Sequence, residues 1–162
     1  MYQSEGRIAK TVSDSRTSHV EILMPGALNG YHRLFGGRLM EWIDVVAGVV
    51  ARRHSGCEVT TASIDNLEFQ APAYVNDTIV LEGRITYVGR TSMEVRVDTF
   101  VEELGGARRQ VNRAYLVMVA LDKDHKPTQV PWLVLENEED QAEWDAGVRR
   151  RELRKIRQKE KY

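Results

Sequence analysis

Between Gly37 and His54 the apolar positions recur at helical spacing: Leu39, Ile43, Val46 and Val50 stand four, three and four residues apart. Trp42, Val45 and Val49 add a second stripe, so this helix is greasy nearly all round and requires cover on more than one side. Gly56, just after His54 and Ser55, suits a left-handed cap. Elsewhere the period is two. Val20, Ile22 and Met24 alternate within 18–24 and predict a half-buried strand, stopped by Pro25 and Gly26; a loop follows over 25–34. Further strands are predicted over 59–69, 78–88, 92–101 and 110–121. Met93, Val95, Val97 and Thr99 share one face, as do Ala114, Leu116, Met118 and Ala120. Gly89-Arg90-Thr91 reads as a hairpin turn, and 102–109, with Gly105-Gly106, as the next turn. One strand, a long helix and four strands in hairpin-like succession predict an α+β fold. Its antiparallel sheet wraps one central helix.

The tail changes character. Glu136, Glu138, Glu139, Asp140, Glu143 and Asp145 come first; eight basic residues follow from Arg149 to Lys161, against only Glu152 and Glu160. Acid first and base last complements a helix dipole, as expected of a solvated terminal helix. The sharper alternative is a basic arm touching a phosphorylated ligand or a neighbouring subunit. The chain divides into a flexible arm (1–16), a core domain (17–133) and a charged helical extension (134–162).

Composition narrows the function. The 162 residues suit one domain and carry a net charge of −1. That total calls for neither nucleic acid nor an anionic membrane as partner. Cys57 is the sole cysteine, which points to a reducing, cytoplasmic setting. No apolar run reaches the roughly 18 residues of a membrane span. No metal-ligand spacing, nucleotide loop or Ser-His-Asp elbow is present.

Within the apolar helix stands one conspicuous carboxylate, Asp44, and the helix opens on Gly36-Gly37. Burying a carboxylate costs energy and raises its pKa, so chains avoid the arrangement or use it. A helix start exposes unpaired N–H groups. Together these are the minimum equipment for acyl hydrolysis, a base or nucleophile plus oxyanion donors.

Met24-Pro25, Asn29, Phe35-Gly36-Gly37 and Met40-Glu41-Trp42-Ile43-Asp44 resemble the signature of the hotdog-fold acyl-CoA thioesterases. The likeness is strongest to the bacterial acyl-CoA hydrolases of the YciA type and to the related cytosolic hydrolases. The stretch 60–72, ending Phe69-Gln70-Ala71-Pro72, is similar to the family's second strand. Val88-Gly89-Arg90-Thr91-Ser92 is similar to its Gly-Arg-Ser/Thr-Ser turn. The resemblance covers about 17–125. It implies an acyl-CoA substrate, hydrolysis to a carboxylic acid and free CoA, no cofactor, and a homodimer or higher homo-oligomer such as a tetramer or hexamer. One departure is Gly30-Tyr31-His32-Arg33-Leu34, bulkier and more basic than the family's small polar run.

The resemblance places Asp44 at the family's catalytic acid; a capping or interface aspartate is the other reading. Gly37, with Gly36, is the oxyanion candidate, or else the pair permits close packing. Asn29 would orient the water or the carbonyl, or simply close an Asx turn. Arg90, beside Thr91, would meet a CoA phosphate, or stand unliganded in a turn. Phe69 would line the pantetheine tunnel, or belong to the core. Seven residues of helix separate Gly37 from Asp44 by roughly 10 Å, which places the two in one site only if they come from different subunits. Two alternatives stand beside hydrolysis. One is an acyl-CoA-binding module without turnover. The other is a dehydratase using His32 with Glu41 or Asp44.

Overall fold

The structure, a computed structural model, describes residues 6–161. In chain order it contains β1 (Ala9–Thr11), β2 (Thr17–Ile22), α1 (Gly36–Ser55), β3 (Glu58–Phe69), β4 (Thr78–Val88), β5 (Ser92–Glu102), β6 (Arg108–Leu121), β7 (Trp132–Val134) and α2 (Glu138–Glu160). Five strands form an antiparallel sheet in the order β2-β4-β5-β6-β3, and β1 pairs with β7 in a separate parallel ribbon. The helix α1 crosses the main sheet, touching β2 through β6. This is the hotdog arrangement.

The succession of strands differs from expectation in one respect. β3 does not form a hairpin with β4. It crosses to the far edge and pairs with β6. The segment between them, with Pro72 and the Asp77 side chain accepting from the Tyr74 N–H, redirects the chain instead of closing a tight turn.

On α1, Leu39, Ile43, Val46, Ala47, Val50 and Ala51 are buried against the sheet. The predicted cap forms at Gly56 (φ 69°), whose N–H donates to Arg52 O. The second apolar stripe receives no full cover from this chain: Val45 is 59% exposed, and Trp42 and Val49 are half-buried. Ile64 and much of the edge strand β3 are exposed beside it. The alternating face of β2 behaves contrary to expectation. Val20 and Ile22 are exposed, because they lie on the outer face of the sheet, away from α1, and Met24, exposed too, falls beyond the end of β2.

The N-terminal segment is not a loose arm where the structure describes it. Arg7 Nη2 donates to Gly89 O and Val130 O, and β1 is hydrogen-bonded to β7. Residues 1–5 lie outside the described residues.

The charged extension docks on the outer face of the sheet. Asn137 accepts from the Asp140 N–H, and Asp140 accepts from the Glu136 N–H, a reciprocal N-terminal cap. The acidic half then reaches arginines of the sheet: Glu139 bonds Arg84 at 2.6 Å and Glu143 bonds Arg96 at 2.7 Å. The basic half reaches acids of the sheet: Arg150 bonds Glu94 at 2.8 Å, and Arg154 bonds Asp65 at 2.7 Å and Glu94 at 2.9 Å. Glu94 is 1% exposed and also accepts from Thr86 Oγ1, so its buried charge is fully satisfied. Gly147 permits the approach, since a Cβ there would lie 2.8 Å from Tyr87 Cβ. The expectation of a merely solvated helix is therefore corrected. Its acid-to-base order matches the charges beneath it as well as its own dipole.

Candidate active site

The loop over 25–34 and the end of β3 converge on the start of α1. Phe35 N–H donates to Ala27 O and Leu34 N–H to Ala73 O, which fixes the approach to the helix. Phe35 O then accepts from Arg38 and Leu39, so α1 begins at Gly36. Among the described residues, the N–H groups of Gly36 and Gly37 have no acceptor. They are orphan donors at the positive end of a 20-residue helix.

Two aromatic rings frame these donors. A Cβ on Gly37 would lie 2.6 Å from the Phe35 ring, and one on Gly36 would lie 3.2 Å from the Phe69 ring. The glycines thus permit close packing and leave their N–H groups open; both readings hold at once. Phe69 is 53% exposed and lines a cavity of about 400 Å³ together with Asn29, Arg33, Gly36, Leu39 and Pro72. It is a wall residue and does not belong to the core.

Asn29 does close an Asx-type turn. Its Oδ1 accepts from the N–H groups of Tyr31 (2.9 Å) and Arg33 (3.2 Å). Those two donors fix the amide orientation, and Nδ2 is left as a donor at the cavity wall. The turn and a functional role are therefore compatible.

Asp44 lies two helical turns further on and is half-buried. The expectation of a carboxylate enclosed in apolar surroundings is not met by one chain, because Asp44 lies half-buried on the flank of α1 beside the edge strand β3. Thr61 Oγ1, on β3, donates to Asp44 Oδ1 at 2.7 Å. Thr61 had no role in the sequence reading. A threonine in a strand is ordinary, and only the placement of β3 beside α1 reveals its partner.

Arg90 and Thr91 are not gathered with these groups. They cap the β4–β5 hairpin, where Arg90 O accepts from Val130 and Thr91 O from Ala120. That end of the fold adjoins the C-terminus of α1, where His54 Nε2 lies 3.0 Å from Pro131 O. The helix between spans about 30 Å. His32 makes no side-chain contact with Glu41 or Asp44 among the described residues, and Glu41 pairs with Arg38 at 2.9 Å, so the dehydratase pair is not assembled. Among the described residues no group of three or more His, Cys, Asp and Glu is placed to hold a metal ion, and no helix is long and apolar enough to cross a membrane.

The arrangement offers free helix-start donors, with Gly36 at the cavity wall, and a threonine-oriented carboxylate between α1 and β3. Comparison with known proteins fits it. Residues 31–107 match the model of the thioesterase superfamily. An uncharacterized acyl-CoA thioester hydrolase of Bacillus subtilis, YkhA, is 38% identical over 160 residues, covering 98% of this chain and 91% of that protein. The acyl-CoA hydrolase of Staphylococcus aureus, solved with butyryl-CoA, CoA and CoA disulfide, superposes with a TM-score of 0.90 at 32% identity, covering 94% of each chain. That protein has also been solved with a single Asn, Asp or Thr replaced by alanine. An apo-hexameric acyl-CoA thioesterase superposes with a TM-score of 0.89 at 36% identity, covering 93% of this chain and 97% of that one. With sequence and fold in agreement over nearly its whole length, the chain belongs to the acyl-CoA thioester hydrolases of the thioesterase superfamily.

Proposed function

We propose that the protein hydrolyses acyl-CoA thioesters at a site completed by two copies of the chain. The Asp44–Thr61 pair, held between α1 and the edge strand β3, carries this reading. The thioester carbonyl points at the Gly37 N–H, where helix-terminal donors stabilise the developing oxyanion. Asn29 Nδ2 holds the carbonyl or the attacking water. Asp44 of the partner copy activates that water or attacks the carbonyl carbon, and Thr61 fixes the oxygen that does not react. In the first case water adds to the carbonyl, its proton passes to Asp44, and the C–S bond breaks to release CoA thiolate. The chemistry so drawn uses only side chains, backbone donors and water, and it calls for no metal or redox cofactor.

Several observations support two copies. Gly37 and Asp44 are separated along one helix by roughly 10 Å. Val45 on α1 and Ile64 on β3 are exposed, and β3 is an open edge of the sheet, features suited to a second copy. The hexameric relative supports assembly beyond the dimer. The Asn, Asp and Thr varied in the S. aureus protein are the residue types presented here by Asn29, Asp44 and Thr61. The lone Cys57 suits a cytoplasmic location.

Release of free thiol from short- and long-chain acyl-CoAs tests hydrolysis. CoA binding without thiol release at any chain length would replace it with the binding-module reading. Mixed oligomers test the sharing. A chain with Asp44→Ala and a chain with Gly37→Pro, each strongly impaired alone, regain partial activity when co-assembled if the site is shared; no recovery would place both groups in one chain.

A further inference from the structure

The bulky, basic run over 30–34 puts a cation on the wall of the site. Arg33 lines the cavity of about 400 Å³ that also receives Gly36. Its backbone is pinned: the N–H donates to Asn29 Oδ1 at 3.2 Å, the carbonyl accepts from the Asn29 N–H at 2.8 Å, and the residue bridges to Tyr74. Its side chain is not tied. Among the described residues, the Arg33 guanidinium has no hydrogen-bond or ion-pair partner. Arg38, the next arginine along the chain, is by contrast paired with Glu41.

The cavity favours an anion. No Asp or Glu lines it. Arg109 stands at another wall, where it donates to Pro72 O at 3.0 Å and has no acidic partner among the described residues. The start of α1 adds the positive end of its dipole. Leu34, Leu39, Phe69 and Val111 supply the apolar part of the lining. An apolar slot with a free guanidinium on its wall fits an apolar chain that carries a terminal anion.

We propose that Arg33 selects thioesters whose acyl chain ends in a carboxylate, the CoA esters of short dicarboxylic acids. The proposal rests on the hydrolase reading of this same site and names its substrate class. Three residues separate Arg33 from Gly36, which holds their Cα atoms within about 11 Å, so only a short chain fits between carbonyl and carboxylate. The cavity volume lies toward the lower end of the usual range for small-molecule sites, room for a short acyl group rather than for the whole of CoA. A cation has a further use here. Asp44 is itself an anion and repels a second carboxylate, and the guanidinium of Arg33 offsets that repulsion. The phosphates of CoA are the other anions within the substrate. They are common to every acyl-CoA, whereas the terminal carboxylate is not, and that difference separates the two.

Succinyl-CoA and butyryl-CoA carry acyl groups of equal carbon count and differ at the chain end, so free-thiol release from the two is compared on the full chain. The wild type is expected to turn over succinyl-CoA at least as efficiently as butyryl-CoA. Arg33→Gln is expected to lower the succinyl-to-butyryl ratio of kcat/KM about tenfold to a hundredfold, the loss of hydrogen bonds to a charged group. Arg33→Lys keeps the charge and should recover part of the ratio. An unchanged ratio would overturn the proposal. So would an equal loss with both esters, which assigns Arg33 to the CoA phosphates, or a wild type that cleaves butyryl-CoA and rejects succinyl-CoA. Each of these leaves hydrolysis standing. If neither ester releases thiol, hydrolysis fails instead, and calorimetric affinities of the two esters for the wild type and Arg33→Gln decide the proposal by the same ratio.

Discussion

Thr61 and Asp44 are joined by a 2.7 Å hydrogen bond from a strand hydroxyl to a helix carboxylate. The bond commits Oδ1 and leaves Oδ2 as the oxygen free to meet a substrate. Replacing Asp44 with Ala is expected to abolish turnover with the fold intact; an active variant would sink the assignment. A hydrogen bond to a charged group is worth about 1.5–3 kcal/mol, so Thr61→Ala is expected to lower kcat about tenfold to a hundredfold. Thr61→Ser keeps the hydroxyl and should recover most of the loss. Steady-state kinetics with one acyl-CoA measures all three.

The orphan donor at Gly37 can be separated from the space around it. Gly37→Ala and Gly37→Pro both place a Cβ against the Phe35 ring. Only proline removes the N–H, and the first turn of a helix tolerates it. Loss of one oxyanion donor costs about a hundredfold to a thousandfold in kcat, so Pro is expected to fall below Ala by that factor. Equal rates in the two variants would show that the N–H does no chemistry.

Docking of α2 rests on buried charge. Removing Arg150 and Arg154 together leaves Glu94 buried with only the Thr86 hydroxyl. Stranding such a charge costs about 3–5 kcal/mol, which lowers Tm on the order of 10 °C for a chain of this size. Adding Glu94→Leu to that background should restore part of the loss, because the stranded charge is gone. Calorimetry decides; a Tm unchanged by the double variant would contradict the network.

His54 sets a pH dependence. It is fully buried, and among the described residues its Nδ1 has no partner. Burial pushes its pKa below the ordinary 6.5; Lys10 and Arg7 act in the same direction, while the bond to Pro131 and the charge of Asp14 oppose it. The folded pKa thus lies below the unfolded one, and between the two the unfolded chain binds more protons. Stability from this residue is complete above 6.5 and declines as pH falls from there toward the lowered folded value. His54→Gln, which keeps a donor for Pro131 O, should flatten the Tm profile between about pH 7 and 5.5. A profile with the same slope would remove His54 as its cause.

The sequence by itself determined the local elements. Period two against period 3.6 located α1 and the strands that became β3 through β6 nearly to the residue, because backbone geometry imposes those periods on any half-buried segment. Family motifs led to Asp44, Gly37 and Asn29 for the same local reason: each sits in a short, ordered run. Tertiary structure decided what depends on distant partners. It sent β3 to the far edge, which set Thr61 against Asp44. It turned Val20 and Ile22 outward. It paired α2 with charges up to 92 positions away. Alternation tells that a strand has two faces, and a charge run tells that a helix has ends. Neither carries the register that selects which face is covered or which charge is met.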